Sequence, residues 1–531
     1  MSLPEPEEVE RLAIGELRSL VESLLAEMAQ LRAENAALRE EVARLKGLPL
    51  RPKLKPSGME KAGQLPTPQS SGKPKRKRRR GAKRDRLVVG EERVLAVLAP
   101  AGSRFKGYED IIVQDLLLVP RVIRYRRERW LAADGRTIIA PLPAGIVGGF
   151  GPALRRFILA GHVQGQVTSE RLTALLGGIG VVISKRQVVR LLTGRLDAIV
   201  TEDREVLRAG LASARWITVD DTGALHAGHN GVTTQIGDGR FTVFRTSRSK
   251  SRTNFLDCLR AGHEDYVVDE TALAYMRRHH LAGPVIDRLA SHPQRSFPDR
   301  HAWAAHLEAL GITALEVTPD PVKIATQGAM WGAIRQHGLL GDTVVVSDDA
   351  GQFRVGTHAL CWVHAERLVH KLLPVTAAQR RAVDLMRQLI WWFYRDLKAW
   401  QRQPDRRRAA GLRTRFERIF RRRTGYVTLD RLLARLRERR AELLRVLDRP
   451  EIPLHTNGSE NDIRAHVTKR KISGGTQSEA GRVARDVLLG LMKTCAKLGL
   501  SFFAYLGHRL GVPEAAAVPP LAQLVRASAP A

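Results

Sequence analysis

The sequence predicts an α/β protein in which a mixed sheet is flanked by helices, and three stretches support this prediction. Residues 343–346, Thr-Val-Val-Val, are too short and too apolar a run for anything but a buried strand. Residues 215–247 alternate with a period of two, which is typical of strands. Residues 376–448 instead show helical periodicity. Strands and helices mixed along one chain indicate the α/β class.

Composition indicates a soluble protein that binds a polyanion. The 531 residues include 87 Lys and Arg against 55 Asp and Glu, a formal net charge of +32, which favours nucleic acid as the partner. A ribosomal or chromatin protein rarely contains 44% hydrophobic residues. Three scattered cysteines suit a reducing cytoplasm. The acidic first residues predict no secretory signal, and three prolines and four glycines make the uncharged stretch 137–154 a poor membrane helix.

Residues 1–48 are predicted to form a leucine-zipper coiled coil. Leucine recurs every seventh residue from Leu17 to Leu45, and the positions three residues earlier are mostly β-branched. This pattern favours a two-stranded parallel coil, in which Asn35 at a central position would pair with its counterpart. We therefore expect self-association through residues 14–45. A single helix lying on the protein's own surface is the alternative.

Residues 49–87 are predicted to be a basic, disordered linker. Pro, Gly and Ser lead into a dense cluster of cations, which repel one another until they meet phosphate. We expect non-specific DNA contacts from Lys75, Arg76, Lys77, Arg78, Arg79 and Arg80. A solvated linker without function is the alternative.

Residues 88–205 are predicted to be a DNA-binding region. Residues 119–130 and 136–140 resemble paired strands around a turn. Residues 168–193 then predict a helix-turn-helix, because a glycine-rich break separates two short helices. The second helix carries the cations that we expect to contact DNA, namely Lys185, Arg186 and Arg190.

Residues 206–510 are predicted to form the catalytic domain. Three short strands lie within residues 215–247, and Asp220 and Asp221 fall near the middle of the first. A three-stranded meander with this aspartate, followed by a helix and further strand, is the opening of an RNase H-like fold. Two more strands are predicted at residues 266–269 and 314–317.

The later part of this domain is predicted to be helical. An all-α insertion spans about residues 376–448, before Glu460, and one of its apolar stripes contains Leu385, Leu389, Trp392, Phe393 and Leu397. A last helix covers about residues 480–498. The Ala- and Pro-rich tail, residues 511–531, is expected to be flexible.

Three carboxylates form the candidate metal site. Asp348 follows the buried strand at 343–346 directly, Asp220 lies in the first strand of the meander, and Glu460 leads into a helix. Three carboxylates within ~4 Å repel by ~4 kcal/mol a pair, so such a cluster needs cations. Carboxylate oxygens select Mg²⁺ or Mn²⁺, and two such ions can activate a water or 3′-hydroxyl and stabilise the leaving oxygen of a phosphodiester. Since the sequence contains no Gly-rich phosphate loop, we expect no nucleotide cofactor.

From about residue 140 to residue 510 the chain resembles the transposases of the insertion sequence 66 family, which are DDE enzymes with an RNase H-like core. The matching pieces occur in the same order as in the family: Val219-Asp-Asp-Thr222, Ser347-Asp348 with Phe353, Cys361-Trp-Val-His364, Asn457-Gly-Ser-Glu460, Arg470-Lys471, Ser478-Glu-Ala-Gly481 and Tyr505-Leu506. The resemblance implies that Asp220, Asp348 and Glu460 are the catalytic, metal-binding triad. Arg470 and Lys471 are further candidates for DNA contact.

The chain also departs from the family pattern. Asp221 stands where the family usually has Glu, and Glu460 is followed by Asn461 instead of Arg. Family members often carry a cysteine-rich zinc-binding segment after the coiled coil, but this chain has no cysteine before Cys258. The basic cluster occupies that place.

A rival metal site deserves comparison. His358, Cys361, His364 and His370 could together ligate zinc. Packing of Cys361 and its neighbour Trp362 beneath the active site is the alternative, which we favour. A role for His364 at a DNA phosphate or a metal-bound carboxylate stays open. Asp221 and Asp349, each one residue beyond a triad aspartate, are expected to have structural roles.

The leading hypothesis is a transposase that binds terminal inverted repeats and cleaves and joins DNA. Its partners would be the transposon ends, the target DNA and a second copy of the chain, and a requirement for accessory proteins of the same element stays open. The resemblance implies a bacterial, cytoplasmic, nucleoid-associated protein without a membrane partner. Two alternatives stay open: a zipper-dimerised DNA-binding protein with an inactive site, and an RNase H-like structure-selective nuclease.

Overall fold

The computed structural model describes residues 26, 30, 88–100, 102–316 and 318–529. Most of the predicted zipper and all of the basic cluster at residues 75–80 lie outside these residues. The chain divides into two units, residues 1–115 and 116–531. In the first unit, the described residues from 88 to 115 form no helix or strand. No helix in the described part of the chain is long and apolar enough to cross a membrane.

The strands of the second unit form one main sheet and two small ribbons. The strands are β1 Arg129–Leu131, β2 Thr137–Ile139, β3 Trp216–His226, β4 His229–Gly237, β5 Thr242–Ser247, β6 Tyr266–Val267, β7 Ser296–Phe297, β8 Val344–Ser347 and β9 Thr357–Leu360. The main sheet has the order β5-β4-β3-β8-β9. Within it β4 is antiparallel to both β3 and β5, whereas β3, β8 and β9 are parallel. This mixed sheet is compatible with the RNase H-like core that the sequence predicts.

The helices cover both faces of this sheet. Before and around the meander they are α1 Pro152–Val163, α2 Ser169–Gly178, α3 Lys185–Thr193, α4 Asp197–Ser213, α5 Arg252–Leu259, α6 Glu270–Arg278, α7 Gly283–Ser291, α8 Arg300–Ala309 and α9 Pro321–Gln336. After β9 they are α10 Trp362–His370, α11 Ala377–Arg402, α12 Arg406–Phe420, α13 Val427–Glu438, α14 Arg440–Leu443, α15 Asn457–Ser473, α16 Glu479–Lys497, α17 Phe502–Arg509 and α18 Leu521–Ala527.

Two hydrophobic clusters form on opposite faces of β8. Val345 points into the larger cluster, which packs helices of the N-terminal half together with α15 to α18. Val344 and Val346 point into the second cluster, which contains the buried residues of α10 to α14. Successive side chains of a strand alternate between faces, so the all-valine sequence of this strand follows from burial on both sides.

The meander at residues 215–247 is confirmed by β3, β4 and β5. Its second turn is fixed by Asp238, whose Oδ1 accepts hydrogen bonds from the backbone N–H groups of Arg240 at 2.7 Å and Phe241 at 3.2 Å. An aspartate that binds the backbone two residues ahead favours such a turn over continued strand.

Two strand predictions need correction. The predicted strand at residues 119–130 is wrong for most of its length, because only Arg129 and Trp130 belong to β1. The strand predicted at residues 314–317 is absent from its described residues, 314–316. At residues 266–269 the strand is short, and it pairs with β7 in a separate ribbon.

The predicted apolar stripe of α11 is partly wrong. Leu385 and Trp392 are 46% and 47% exposed. The buried face instead contains Val383, Met386, Ile390, Phe393, Tyr394, Leu397 and Trp400. Apolar residues occupy more than one side of this helix, and contacts with α10 and α12, which sequence periodicity cannot see, decide which side is buried.

The structure also differs from the flexible tail predicted at residues 511–531. Helix α18 packs on α4, and its Leu521 and Val525 are completely buried. The backbone N–H of Leu521 donates to Glu202 at 3.0 Å, and Arg240 donates to the Val525 carbonyl at 2.9 Å. The Ala- and Pro-rich composition suggested flexibility, but these contacts hold the segment in place.

Candidate active site

Asp220 and Asp348 lie near each other where the parallel pairing of β3 with β8 ends. The register pairs Trp216 with Val344 and Thr218 with Val346. Continued by two residues, just past the end of β8 at Ser347, this register would bring Asp348 next to Asp220, and the charge of Asp348 does act on Asp220. The two side chains therefore share the sheet face on which Val344 and Val346 meet the second hydrophobic cluster.

The two aspartates each keep one oxygen available to a ligand. Oδ1 of Asp220 accepts the backbone N–H of Asp221 at 2.8 Å, and Oδ1 of Asp348 accepts the backbone N–H of Ala350 at 3.0 Å. The Oδ2 atoms of both accept no hydrogen bond from the described residues. Free carboxylate oxygens on adjacent strands are donors that suit Mg²⁺ or Mn²⁺.

Asp221 points to the opposite face. Its Oδ1 lies 2.5 Å from Lys250 Nζ, and its Oδ2 accepts from Gln352 Nε2 at 2.8 Å. Alternation along β3 separates this side chain from Asp220, as the sequence predicts for a structural residue.

Asp349 turns toward the helical insertion. Arg354 and Arg435 each lie 2.6 Å from its carboxylate, and Arg439 lies 3.7 Å away. Burial raises the pKa of Asp349, but hydrogen bonds from Arg354 and Arg435 outweigh this effect and hold the pKa below its ordinary value. Its observed contacts are with arginines of the protein itself, including two from the segment at residues 427–439.

Glu460 lies in the first turn of α15, which is fastened to β3. The neighbouring Ser459 donates a buried hydrogen bond of 2.6 Å from Oγ to Thr218 Oγ1. Thr218 lies two residues before Asp220 and on the same face of the strand. This contact turns the beginning of α15 toward the two aspartates.

Arg367 of α10 holds Glu460 through both carboxylate oxygens. Nη1 donates to Oε1 at 2.8 Å and Nη2 donates to Oε2 at 3.2 Å. His364 Nε2 lies 3.8 Å from the same Oε1. Arg367 therefore places a positive charge beside Glu460, whose next residue in the chain is the uncharged Asn461.

The electrostatics of the site reflect its crowded carboxylates. Burial raises the pKa of Asp220 to about 6, and the charges of Asp348 and Asp221 add to the rise. The hydrogen bond from the Asp221 backbone and the nearby His364 act in the opposite direction. A hydrogen bond with the Cys361 thiol, together with the charges of Asp348 and Asp220, raises the pKa of His364 despite its burial. The site therefore favours a cation.

The zinc alternative finds no geometric support. Within the described residues, the one group of at least three ligand atoms that all lie within 4.8 Å is His263, Asp265 and His337, away from the predicted histidines. Cys361 and Trp362 are each only 1% exposed. The Trp362 ring packs against aromatic rings of α11 and α12.

The same criterion applies to the triad. Asp220, Asp348 and Glu460 do not form a group within 4.8 Å in the described structure, in which Glu460 is paired with Arg367. Both carboxylate oxygens of Glu460 are therefore already engaged by a cationic side chain.

The predicted DNA contacts occupy two places. Lys185, Arg186 and Arg190 are exposed on α3, whose apolar side, Val188 and Leu191, is buried. Arg470 and Lys471 lie near the end of α15. The Arg470 guanidinium lies beside β3, because a Cβ added to Gly223 of that strand would be 3.4 Å from Arg470 Nη1.

Sequence reasoning missed Arg367, Lys250 and Gln352. Arg367 offered a signal, because it follows His364 by three residues and therefore shares its helix face. Lys250 and Gln352 offered none, because neither belongs to a motif and both reach Asp221 only through the fold.

The fold is that of an α/β protein whose five-stranded mixed sheet, flanked by helices, is compatible with an RNase H-like core. Comparison with known proteins agrees: residues 342–484, which include Asp348 and Glu460, match the family model described as transposase, IS66 family. The chain is also 56% identical over 324 residues to the uncharacterized protein y4jO of Sinorhizobium fredii (strain NBRC 101917 / NGR234), a match covering 61% of this chain and 100% of that relative. The chain belongs to the IS66 family of transposases.

Proposed function

We propose that this protein is a DDE-type transposase that binds the terminal inverted repeats of an insertion sequence and catalyses DNA strand cleavage and transfer. The observation that carries the proposal is the side-by-side placement of Asp220 and Asp348, with Glu460 turned toward them by the bond between Ser459 and Thr218. Family membership supports the same reading.

Each residue of the site has a proposed role. Asp220 and Asp348 would hold Mg²⁺ or Mn²⁺, with two ions proposed, and Glu460 would complete the set of carboxylates if Arg367 released it. The ions, when bound, activate the attacking water or 3′-hydroxyl and stabilise the leaving oxygen. His364 lies 3.8 Å from Glu460, and the charges of Asp348 and Asp220 help to raise its pKa, which favours the protonated imidazole.

DNA would reach this site from two directions. The exposed cations of α3 are proposed to read the terminal repeat, because a short helix of this kind enters a major groove. The basic cluster at residues 75–80 would bind phosphates of any sequence. Self-association through residues 14–45 would bring two transposon ends into one complex, in a nucleoid-associated protein.

The test is Mg²⁺-dependent cleavage of a labelled duplex that carries one end of the element, followed by joining to a target duplex. Cleavage at the end and joining are expected from the parent, and neither from Glu460→Gln. Binding without cleavage would favour the DNA-binding derivative. Cleavage of branched DNA without joining would favour the structure-selective nuclease.

A further inference from the structure

A cavity of about 440 Å³ lies between the helix pair α2–α3 and helices α15 and α16. Its walls include Lys185 from α3, Lys469 from α15 and Arg485 from α16. Hydroxyl-bearing residues, among them Thr168 and Thr476, also face it. The cavity thus joins the predicted DNA-reading helices to the helix that carries Glu460.

Arg485 is a buried cation without a matching partner. Its side chain is only 7% exposed, yet none of its three guanidinium nitrogens makes a hydrogen bond within the described part of the chain. The one carboxylate within ion-pair distance is Asp486, at 3.8 Å, and that carboxylate already accepts two hydrogen bonds from Thr246. Buried guanidinium groups normally have hydrogen-bond partners and a counter-charge. An anion bound in the cavity would supply both to Arg485.

Lys469 brings a second buried cation to the same cavity. It is 3% exposed and donates to the His162 carbonyl at 2.6 Å, which uses one of its three hydrogens. Burial, with a further contribution from Arg485, lowers the pKa of Lys469 to about 7. The carboxylate in the wall, Glu170, lies 3.9 Å from Lys185 at the exposed surface. The cavity therefore has an excess of positive charge.

We propose that this cavity binds a phosphate group of a DNA strand that passes between the α2–α3 pair and α15. A phosphate offers several acceptor oxygens, which can serve Arg485 and Lys469 together. The inference rests on the proposed function, since it assigns a contact to the DNA that the transposase would cut. It adds two buried residues, Arg485 and Lys469, to the exposed cations of α3.

Helix α15 gives the position of this phosphate relative to the active site. Glu460 lies in the first turn of the helix, and Lys469 follows nine residues later. Nine residues span about 14 Å of helix. A strand running alongside would place about four nucleotides in that distance, at about 3.4 Å of axial rise for each. The contacted phosphate should therefore lie about four nucleotides from the cleaved bond.

The first experiment tests the anion site without DNA. Thermal unfolding of the full chain is measured in pyrophosphate and in chloride at equal ionic strength, for the parent, Arg485→Met, Lys469→Met and Arg464→Gln. Arg464 is exposed on the same helix as Lys469 and is the control for charge alone. Pyrophosphate should stabilise the parent and Arg464→Gln, and bind either cavity variant about 10- to 100-fold more weakly.

Stability without phosphate separates a ligand site from a structural role. Because Arg485 is buried without hydrogen bonds, Arg485→Met should unfold at the parent temperature or above it in chloride. If Arg485→Met instead unfolds earlier and keeps the full pyrophosphate shift, the arginine is structural and the inference is wrong. If Arg485→Met fails to fold, the pyrophosphate-dependent shift in the unfolding temperature of Lys469→Met tests the inference instead.

The second experiment assigns the phosphate to a DNA strand. Single methylphosphonates, which remove one charge, are scanned along the element end, and affinity is measured for the parent and Arg485→Met. One position about four nucleotides from the cleaved bond should weaken binding to the parent but not to Arg485→Met. Equal losses for both proteins at every position would overturn the strand assignment, even if pyrophosphate binds.

The two proposals fail in different ways. Cleavage by the parent without any phosphate effect at Arg485 would reject the cavity site and keep the transposase. Pyrophosphate stabilisation of the parent without DNA cleavage would reject the proposed function and leave an anion site.

Discussion

Asp220 and Asp221 are neighbours in sequence, but we expect Asn at each position to change stability in opposite directions. Asp220 faces Asp348 across the parallel strand pair, whereas Asp221 faces Lys250 and Gln352. Asp220→Asn removes a repelled charge, and Asp221→Asn removes a paired one. The first should raise the unfolding temperature in the absence of divalent ions, and the second should lower it.

The magnitude for Asp220 follows from its pKa of about 6 in the folded protein. Since the folded state binds this proton more tightly than the unfolded state, the contribution to stability is complete below about pH 4 and is lost as the pH rises through 6. A rise of about two in pKa corresponds to about 3 kcal/mol at pH 7.5. The Asn amide still has to be desolvated, so we expect a gain of about 1–3 kcal/mol.

The magnitude for Asp221 is smaller. The Lys250 side chain is 54% exposed, and an ion pair with an exposed partner contributes about 0–1 kcal/mol. The Asn oxygen can still accept the hydrogen bond from Gln352. We therefore expect Asp221→Asn to lose less than about 1 kcal/mol.

The assay is thermal unfolding in EDTA at pH 7.5 and pH 4.5, repeated with Mg²⁺, beside the cleavage assay. The gain from Asp220→Asn should shrink at pH 4.5, and Mg²⁺ should stabilise the parent but not this variant. Cleavage should be lost in Asp220→Asn and kept in Asp221→Asn. A loss of stability for Asp220→Asn in EDTA at pH 7.5, or a gain for Asp221→Asn, would refute the assignment of the two faces.

Three further predictions concern other parts of the chain. Neutralising residues 75–80 should weaken binding to all duplexes alike and flatten the salt dependence of the binding constant by about 0.9 in log–log slope per lost phosphate contact. Replacing Arg186 and Arg190 should instead reduce only the preference for the terminal repeat over random DNA. Arg367→Gln should raise the Mg²⁺ affinity in the absence of DNA, as measured by thermal shift. The rise should be less than about tenfold, because an ion pair with a half-exposed arginine is weak. An unchanged affinity would show that the pair does not restrain Glu460. Deleting residues 1–48 should lower the oligomeric state in sedimentation while the remaining chain stays folded, and an unchanged state would remove the zipper from association.

The parts of the fold that could be predicted from the sequence are those determined by local sequence patterns. The meander follows from period-two alternation and from the turn at Asp238, which its own side chain closes. The strand before Asp348 follows from a run of valines that only a doubly buried strand explains. Both signals lie within a few residues, where side-chain chemistry and backbone geometry determine each other.

Contacts between distant segments were beyond this reasoning. The register of β3 against β8 joins residues more than a hundred positions apart, and it alone places Asp220 beside Asp348. The buried face of α11 and the docking of α18 also depend on which surfaces meet. Arg485 could not be singled out for the same reason, because its lack of a partner is a property of the packed interior.

Under the proposed function, the pair formed by Glu460 and Arg367 would link DNA binding to completion of the metal site. Arg367 engages both oxygens of Glu460, and a phosphate presents the same two-oxygen geometry to a guanidinium. A DNA phosphate that draws Arg367 away would leave Glu460 free beside the two aspartates. The carboxylate set would then acquire its third ligand only when DNA is present, and by linkage bound metal would tighten DNA binding by the same factor. Such coupling would keep the cleavage site incomplete until the strand to be cut has arrived.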